Sequence, residues 1–219
     1  MPKLHPVLPT VLMKSKKFVL LLFFVSILCS SASAQTFYGT ADLKTFREGR
    51  DREMRDPKET PLPEIEAAKF VGLKYFEIDN RYRVKAKLVR EPSEQKIQFQ
   101  TSSGKIRTFL KYGTVSFKLR GKKYRLNVYQ VEPAAAKEEY KDLVFIPFKD
   151  QTSGKESYGA GRYIDIKIPE GKRVILDFNL AYNPNCAYGS DKYNCPIPPK
   201  ENRLDVEIKA GEKSYLPGH

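Results

Sequence analysis

The 219-residue chain contains no tryptophan, two histidines and three cysteines. The histidines are His5 and His219, so a Ser-His-Asp triad, a histidine general base or a His-rich metal site has almost no material. Cys186 and Cys195 stand as an isolated C-x8-C pair. That spacing is too wide for a C-x-x-C redox site, and without histidine it is too poor in ligands for a four-coordinate zinc site. Gly159-Ala160-Gly161 lacks the following Lys-Ser/Thr of a phosphate loop and opens no helix. The sequence therefore offers no metal motif and calls for no cofactor. Beyond residue 28 no apolar run is long enough to span a bilayer. Internal repeats and low-complexity tracts are also missing.

The N-terminus is distinctive. Lys14, Lys16 and Lys17 precede an uncharged apolar run at 18–28, and Ala32-Ser33-Ala34 supplies the small residues a signal peptidase reads. Residues 1–34 are expected to be a cleavable signal peptide, with Met13 as an alternative start. Leu28 before Cys29 argues against a lipid anchor, which favours a small residue there. The expected mature chain, 35–219, is one β-rich domain, periplasmic or secreted, with no transmembrane segment. It loses the leader's four lysines, and the net charge falls from +13 to +9. Its two cysteines, in an oxidising compartment, are expected to form one disulfide.

One short helix is expected near the mature start. Thr40 caps it, Asp42 sits in its first turn, and Pro57 lies past its end. Leu43, Phe46 and Met54 fall on one stripe, with Arg50 between them. Residues 57–64 carry three prolines and read as an extended linker. The period then switches to two. Tyr82, Val84, Ala86 and Leu88 alternate with Arg and Lys, as do Val115, Phe117 and Leu119. Ile164, Ile166 and Ile168 form a third series, and Val206 with Ile208 a fourth. Strict alternation marks strands with one buried and one wet face. About ten such segments with short turns predict an all-β, mainly antiparallel fold: a curled barrel or a sandwich.

The basic residues are the outward partners of these strands, interleaved with acids. That placement describes a solvated face and argues against nucleic acid. If the charge has a use, anionic lipid headgroups or acidic glycans match it better.

The last third changes character. It reads Ser-Tyr-Gly-Ala-Gly-Arg-Tyr at 157–163 and Asp-Phe-Asn-Leu-Ala-Tyr-Asn-Pro-Asn-Cys-Ala-Tyr at 177–188. Tyr-Asn-Cys-Pro-Ile-Pro-Pro follows at 193–199, and Ala-Gly-Glu-Lys at 210–213. This ordered series closely resembles the bacterial family catalogued as domain of unknown function 1684. Asn185 departs from the second proline many relatives carry. The resemblance implies a shared domain and no agreed activity.

Within this region Arg162 stands in phase with Ile164 and Ile166, so it should face the apolar side and need a carboxylate or a bound anion. Asp177 is the nearest candidate, although its phase puts it on the opposite face. Two readings stay open. Arg162, Asp177, Asn179, Tyr182 and Asn183 form a buried network that fixes a loop. Alternatively they line a polar pocket where Arg162 clamps an anion, with Tyr158, Tyr163 and Tyr182 as aromatic walls for an anionic small molecule or a glycan. Three functions fit: an exported ligand-binding module with its ligand inside the barrel, a hydrolase pairing Asp177 with Asp165, Asp150 or Glu201, and a purely structural envelope protein.

Overall fold

The computed structural model describes residues 43–132, 138 and 141–216. The signal peptide expected at 1–34, Thr40 and Asp42 lie outside the described residues. Helix α1 (Leu43–Arg55) buries Met54, leaves Lys44, Glu48, Arg52 and Arg55 exposed, and turns Arg47, Arg50, Asp51 and Glu53 partly toward the domain. The proline-containing stretch after it leads into the one-turn helix α2 (Glu64–Ala67).

From residue 83 the alternation becomes strands: β1 (Arg83–Gln100), β2 (Ile106–Leu119), β3 (Lys122–Val131), β4 (Leu143–Phe148), β5 (Arg162–Lys167) and β6 (Arg173–Asp177). They form one antiparallel sheet in the order β5-β4-β3-β2-β1-β6, curled into a half-barrel. Register shifts between Arg90 and Gln95 in the β1/β2 pair, and between Lys111 and Gly113 in the β2/β3 pair, mark where it bends. Gly113 is required at the bend, because a Cβ there would lie 2.3 Å from the carbonyl oxygen of Val89. Beyond β6 the chain makes a 3-10 turn (Phe178–Leu180), and Tyr182 then pairs with Tyr163 of β5 through N–H···O bonds of 2.9 and 3.0 Å. The two sheet edges are thereby drawn together.

The curled antiparallel architecture matches the alternation. The strand count does not: six strands form the sheet among the described residues, two of them 18 and 14 residues long. The stretch around Val206 and Ile208 alternates like a strand but joins no ladder.

Leu88, Val115, Leu126, Val128, Ile146 and Leu176 are all at most 1% exposed on the inner face. Each contributes about 1.5–3 kcal/mol by burial. Leu204, Ile208 and Ala210 pack onto them from the C-terminal stretch. These side chains take the space that a ligand inside the barrel would need. A second cluster, Phe99, Phe109, Tyr129 and Phe145, covers the opposite face in edge-to-face contacts of 4.8–5.0 Å.

Candidate functional site

Gly161, at a φ of 106°, turns the chain into β5. Arg162 then points inward in phase with Ile164 and Ile166, and is fully buried. Its Nη1 donates to the carbonyls of Ala210 (2.5 Å) and Glu212 (3.2 Å), and its Nη2 to that of Ile208 (2.9 Å). Its carboxylate partner is Asp150, at 3.4 Å, rather than Asp177. Asp150 in turn accepts from the Ile208 N–H (2.6 Å) and the Thr152 hydroxyl (2.9 Å). Burial pulls the Arg162 pKa down while Asp150 opposes the shift. This explains the missing strand. The Ile208 N–H and the carbonyls of Ile208, Ala210 and Glu212 are satisfied by a carboxylate and a guanidinium, while the Gly211 carbonyl and the Glu212 N–H bond to the backbone of Phe76 and Ala181.

The remaining candidates are dispersed. Asp177 ends β6, accepts from the Asn179 N–H (2.9 Å) and Nδ2 (2.8 Å), and faces Arg83 Nε at 3.6 Å. Asn179 also exchanges hydrogen bonds with the backbone of Asp79. This group fixes the turn after the strand and is separate from Arg162. Tyr158 packs with Met54, Leu62 and Tyr188. Asn183 binds the Glu212 carboxylate through its N–H (3.1 Å) and Nδ2 (2.9 Å). Of the acids weighed for hydrolysis, Asp177 and Asp150 are thus held in different networks.

Tyr182 leads to a different place. Asp165 alternates outward from Ile164 and Ile166, and Tyr182 Oη donates to it at 2.7 Å. Both line an open cleft of about 520 Å³ on the outer face of the sheet. Its walls are aromatic: Phe46 of α1, Phe109, Phe145, Tyr163, Tyr182 and Tyr193. Arg50, Glu53 and Arg107 provide the other charges. The Arg50 guanidinium stands 5.2 Å from the centre of the Tyr182 ring, pairs with Glu53 and donates to Tyr188 Oη at 3.2 Å. Tyr188 then donates to Glu212 at 2.5 Å. One polar chain therefore runs from Asp165 through Tyr182, Arg50 and Tyr188 to Glu212 and Asn183. Burial pushes the Asp165 carboxyl up to about 6, with the Tyr182 hydroxyl and Arg50 holding it back. Burial likewise raises Glu212, against the pull of Arg50. Tyr182 and Tyr188 are held well above the usual phenol range by burial and their carboxylate partners.

The far wall of the cleft is the loop closed by the Cys186–Cys195 disulfide, whose sulfurs are 2.13 Å apart. The β1–β2 hairpin holds this loop. Ser102 Oγ donates to Cys186 Sγ (3.1 Å), Ser103 Oγ to Asn194 Oδ1 (2.6 Å), and Arg107 Nη1 to the Asn194 carbonyl (3.3 Å). Among the described residues no three His, Cys, Asp or Glu side chains gather as a metal site would require. No helix among them is long and apolar enough to cross a membrane.

A family model described as "Protein of unknown function (DUF1684)" matches residues 68–213. The chain belongs to the DUF1684 family. An uncharacterised protein of Haloarcula marismortui, solved by solution NMR, shares 36% identity with this DUF1684 chain. The match covers 80% of this chain and 93% of that one, with a TM-score of 0.63. A comparison with curated proteins finds no match.

The motifs quoted for DUF1684 map onto both networks in this member. Gly161 and Arg162 belong to the inner one. Tyr182 and Asn183 belong to the outer one, as does Glu212 of the Ala-Gly-Glu close. The sequence reading missed Asp150 as the partner of Arg162. It also missed Arg50, Glu53, Arg107, Tyr188 and Glu212 as site residues. Arg50 left a signal, since a cation inside the apolar stripe of α1 needs a partner across the interface. Asp150 left only a local one, an acid followed by Thr152 and Ser153, as in side-chain-closed turns.

Proposed function

We propose that this DUF1684 member is an exported binding module whose small ligand lies in the outer cleft and not inside the barrel. The cleft itself carries this reading: about 520 Å³ walled by aromatic rings, with the half-buried Asp165 carboxyl set among them. Rings offer stacking area to the apolar face of a sugar or another flat molecule. Asp165 accepts hydrogen bonds from hydroxyl or amide groups, and Arg50 and Arg107 orient an anionic substituent. A glycan fragment combines these features. Export rests on the expected signal peptide at 1–34 and fits a disulfide-closed wall.

The test is an NMR titration of the 15N-labelled chain with neutral and uronic-acid disaccharides. Shifts should cluster at Tyr163, Asp165, Tyr182 and Tyr193, and an Asp165→Asn variant should bind at least about tenfold more weakly. Shifts spread evenly over the surface, or binding indifferent to that change, would refute the proposal. A second reading, hydrolysis, draws on one observation: Asp165 shares the cleft with Glu53. Paired carboxyls suffice for glycoside chemistry. Product formation from those disaccharides, abolished in both Asp165→Asn and Glu53→Gln, would favour it over simple binding.

A further inference from the structure

The excess positive charge is concentrated on one face. The segments 83–89, 114–127 and 172–177 contain ten Lys or Arg residues and a single acid, Asp177. That acid is buried and faces Arg83. Strand register gathers the cations into rows. Arg173 of β6 lies opposite Lys87 of β1, which lies opposite Ser116 of β2, which lies opposite Arg125 of β3. In the neighbouring row Lys118 of β2 lies opposite Lys123 of β3, and Lys85 of β1 continues the register. All six cations are exposed, and none has an ion-pair partner among the described residues.

A merely wet surface does not account for this. Adjacent strands are about 4.8 Å apart, and like charges directly opposite each other destabilise a sheet. Lysines that prevent aggregation belong on edge strands. Here they occupy β1, β2 and β3, which are all interior to the sheet. The fold tolerates two like-charge pairs, Lys87 with Arg173 and Lys118 with Lys123, where opposite charges would stabilise it.

We propose that this face docks the domain onto a bilayer surface rich in anionic phospholipid. The surface is broad and open, and lysines predominate on it, which suits point-charge attraction to headgroups. Val89, 54% exposed, extends the β1 row as an apolar contact for the headgroup boundary. None of the exposed positions in the three segments is aromatic. The stacking platform expected for single-stranded nucleic acid or a sugar chain is therefore missing from these three segments. The cleft opens on the same outer face but at the other ends of β2 and β3, at Arg107, Phe109 and Val131, and is completed by α1, β4, β5 and the disulfide loop; none of the six cations lines it, so a docked domain could still receive its ligand.

The test is sedimentation of the full chain with phosphatidylcholine vesicles, with and without phosphatidylglycerol. Binding should need phosphatidylglycerol and be reversed by salt. A Lys87→Gln/Lys118→Gln variant should partition at least about tenfold less and unfold no earlier than the parent, because it relieves both like-charge contacts. Asp165→Asn should bind vesicles unchanged, which separates this proposal from the cleft. Equal binding to both vesicle types, equal binding by the double variant, or loss of its stability would overturn the proposal. Preference for a soluble sulfated polysaccharide at matched charge would overturn it too and assign the face to a glycan.

Discussion

Replacing Arg162 by methionine keeps the side-chain length and deletes the fork. Three backbone carbonyls, those of Ile208, Ala210 and Glu212, lose their guanidinium donor, and the buried Asp150 carboxylate loses its counter-charge. Removing one partner of a buried ion pair costs about 3–5 kcal/mol. Leaving buried carbonyls without a donor costs about 1–3 kcal/mol each, in part the same free energy counted twice. We expect a net loss of about 5 kcal/mol, enough to unfold a domain at the lower end of the usual stability range. Urea denaturation reads it as a lower midpoint at unchanged slope. Arg162→Lys retains the charge beside Asp150 but not the planar fork, and should lose about 2 kcal/mol. The double variant Arg162→Met/Asp150→Asn should be more stable than the single Arg162→Met, because no buried carboxylate is stranded. An Arg162→Met midpoint within about 0.5 kcal/mol of the parent would refute the role assigned to this residue. So would a double variant that is no better than the single.

Two further outcomes follow from the outer site. Asp165 titrates near 6 in the folded chain against an ordinary 3.8, so the folded state holds the proton more tightly. Its stabilising contribution is complete below pH 3.8 and is lost as the pH rises through about 6. It amounts to about 3 kcal/mol at most. Melting temperatures measured across that window should fall less steeply for Asp165→Asn than for the parent, and parallel curves would count against the raised pKa. Reducing the Cys186–Cys195 bridge releases a ten-residue loop. It should cost about 2.7 kcal/mol, with amide exchange rising first around Asn194 and Cys195. Intact mass after alkylation without reductant should show neither of these two thiols modified, and labelling at both would contradict the bridge.

Much of the sheet was legible because alternation reports burial directly. The phase of Tyr82 to Leu88, of Val115 to Leu119 and of Ile164 to Ile166 is the phase observed. The same rule correctly sent Arg162 inward. It could not name Asp150, because that acid sits in a loop before the strand and meets Arg162 only through tertiary closure. Strand number was overcounted for two physical reasons. Glu91-Pro92 looks like a break, yet β1 runs on, because the proline falls within the register shift where no ladder bond is lost. Val206 and Ile208 have the strand period without a strand partner. The disulfide followed from the cysteine count and from the export expected of the leader-like N-terminus. The cleft did not follow, because its residues come from α1, β2, β5 and the disulfide loop, and no local pattern links them.

The way residues 208–212 are held has a bearing on how this protein comes into being. Because Arg162 gathers three carbonyls that lie 46 to 50 residues further along, a growing polypeptide that has not yet reached Ile208 holds a solvent-hungry cation and an uncovered oily trough. Covering that trough therefore depends on Leu204, Ile208 and Ala210, among the last residues to be made.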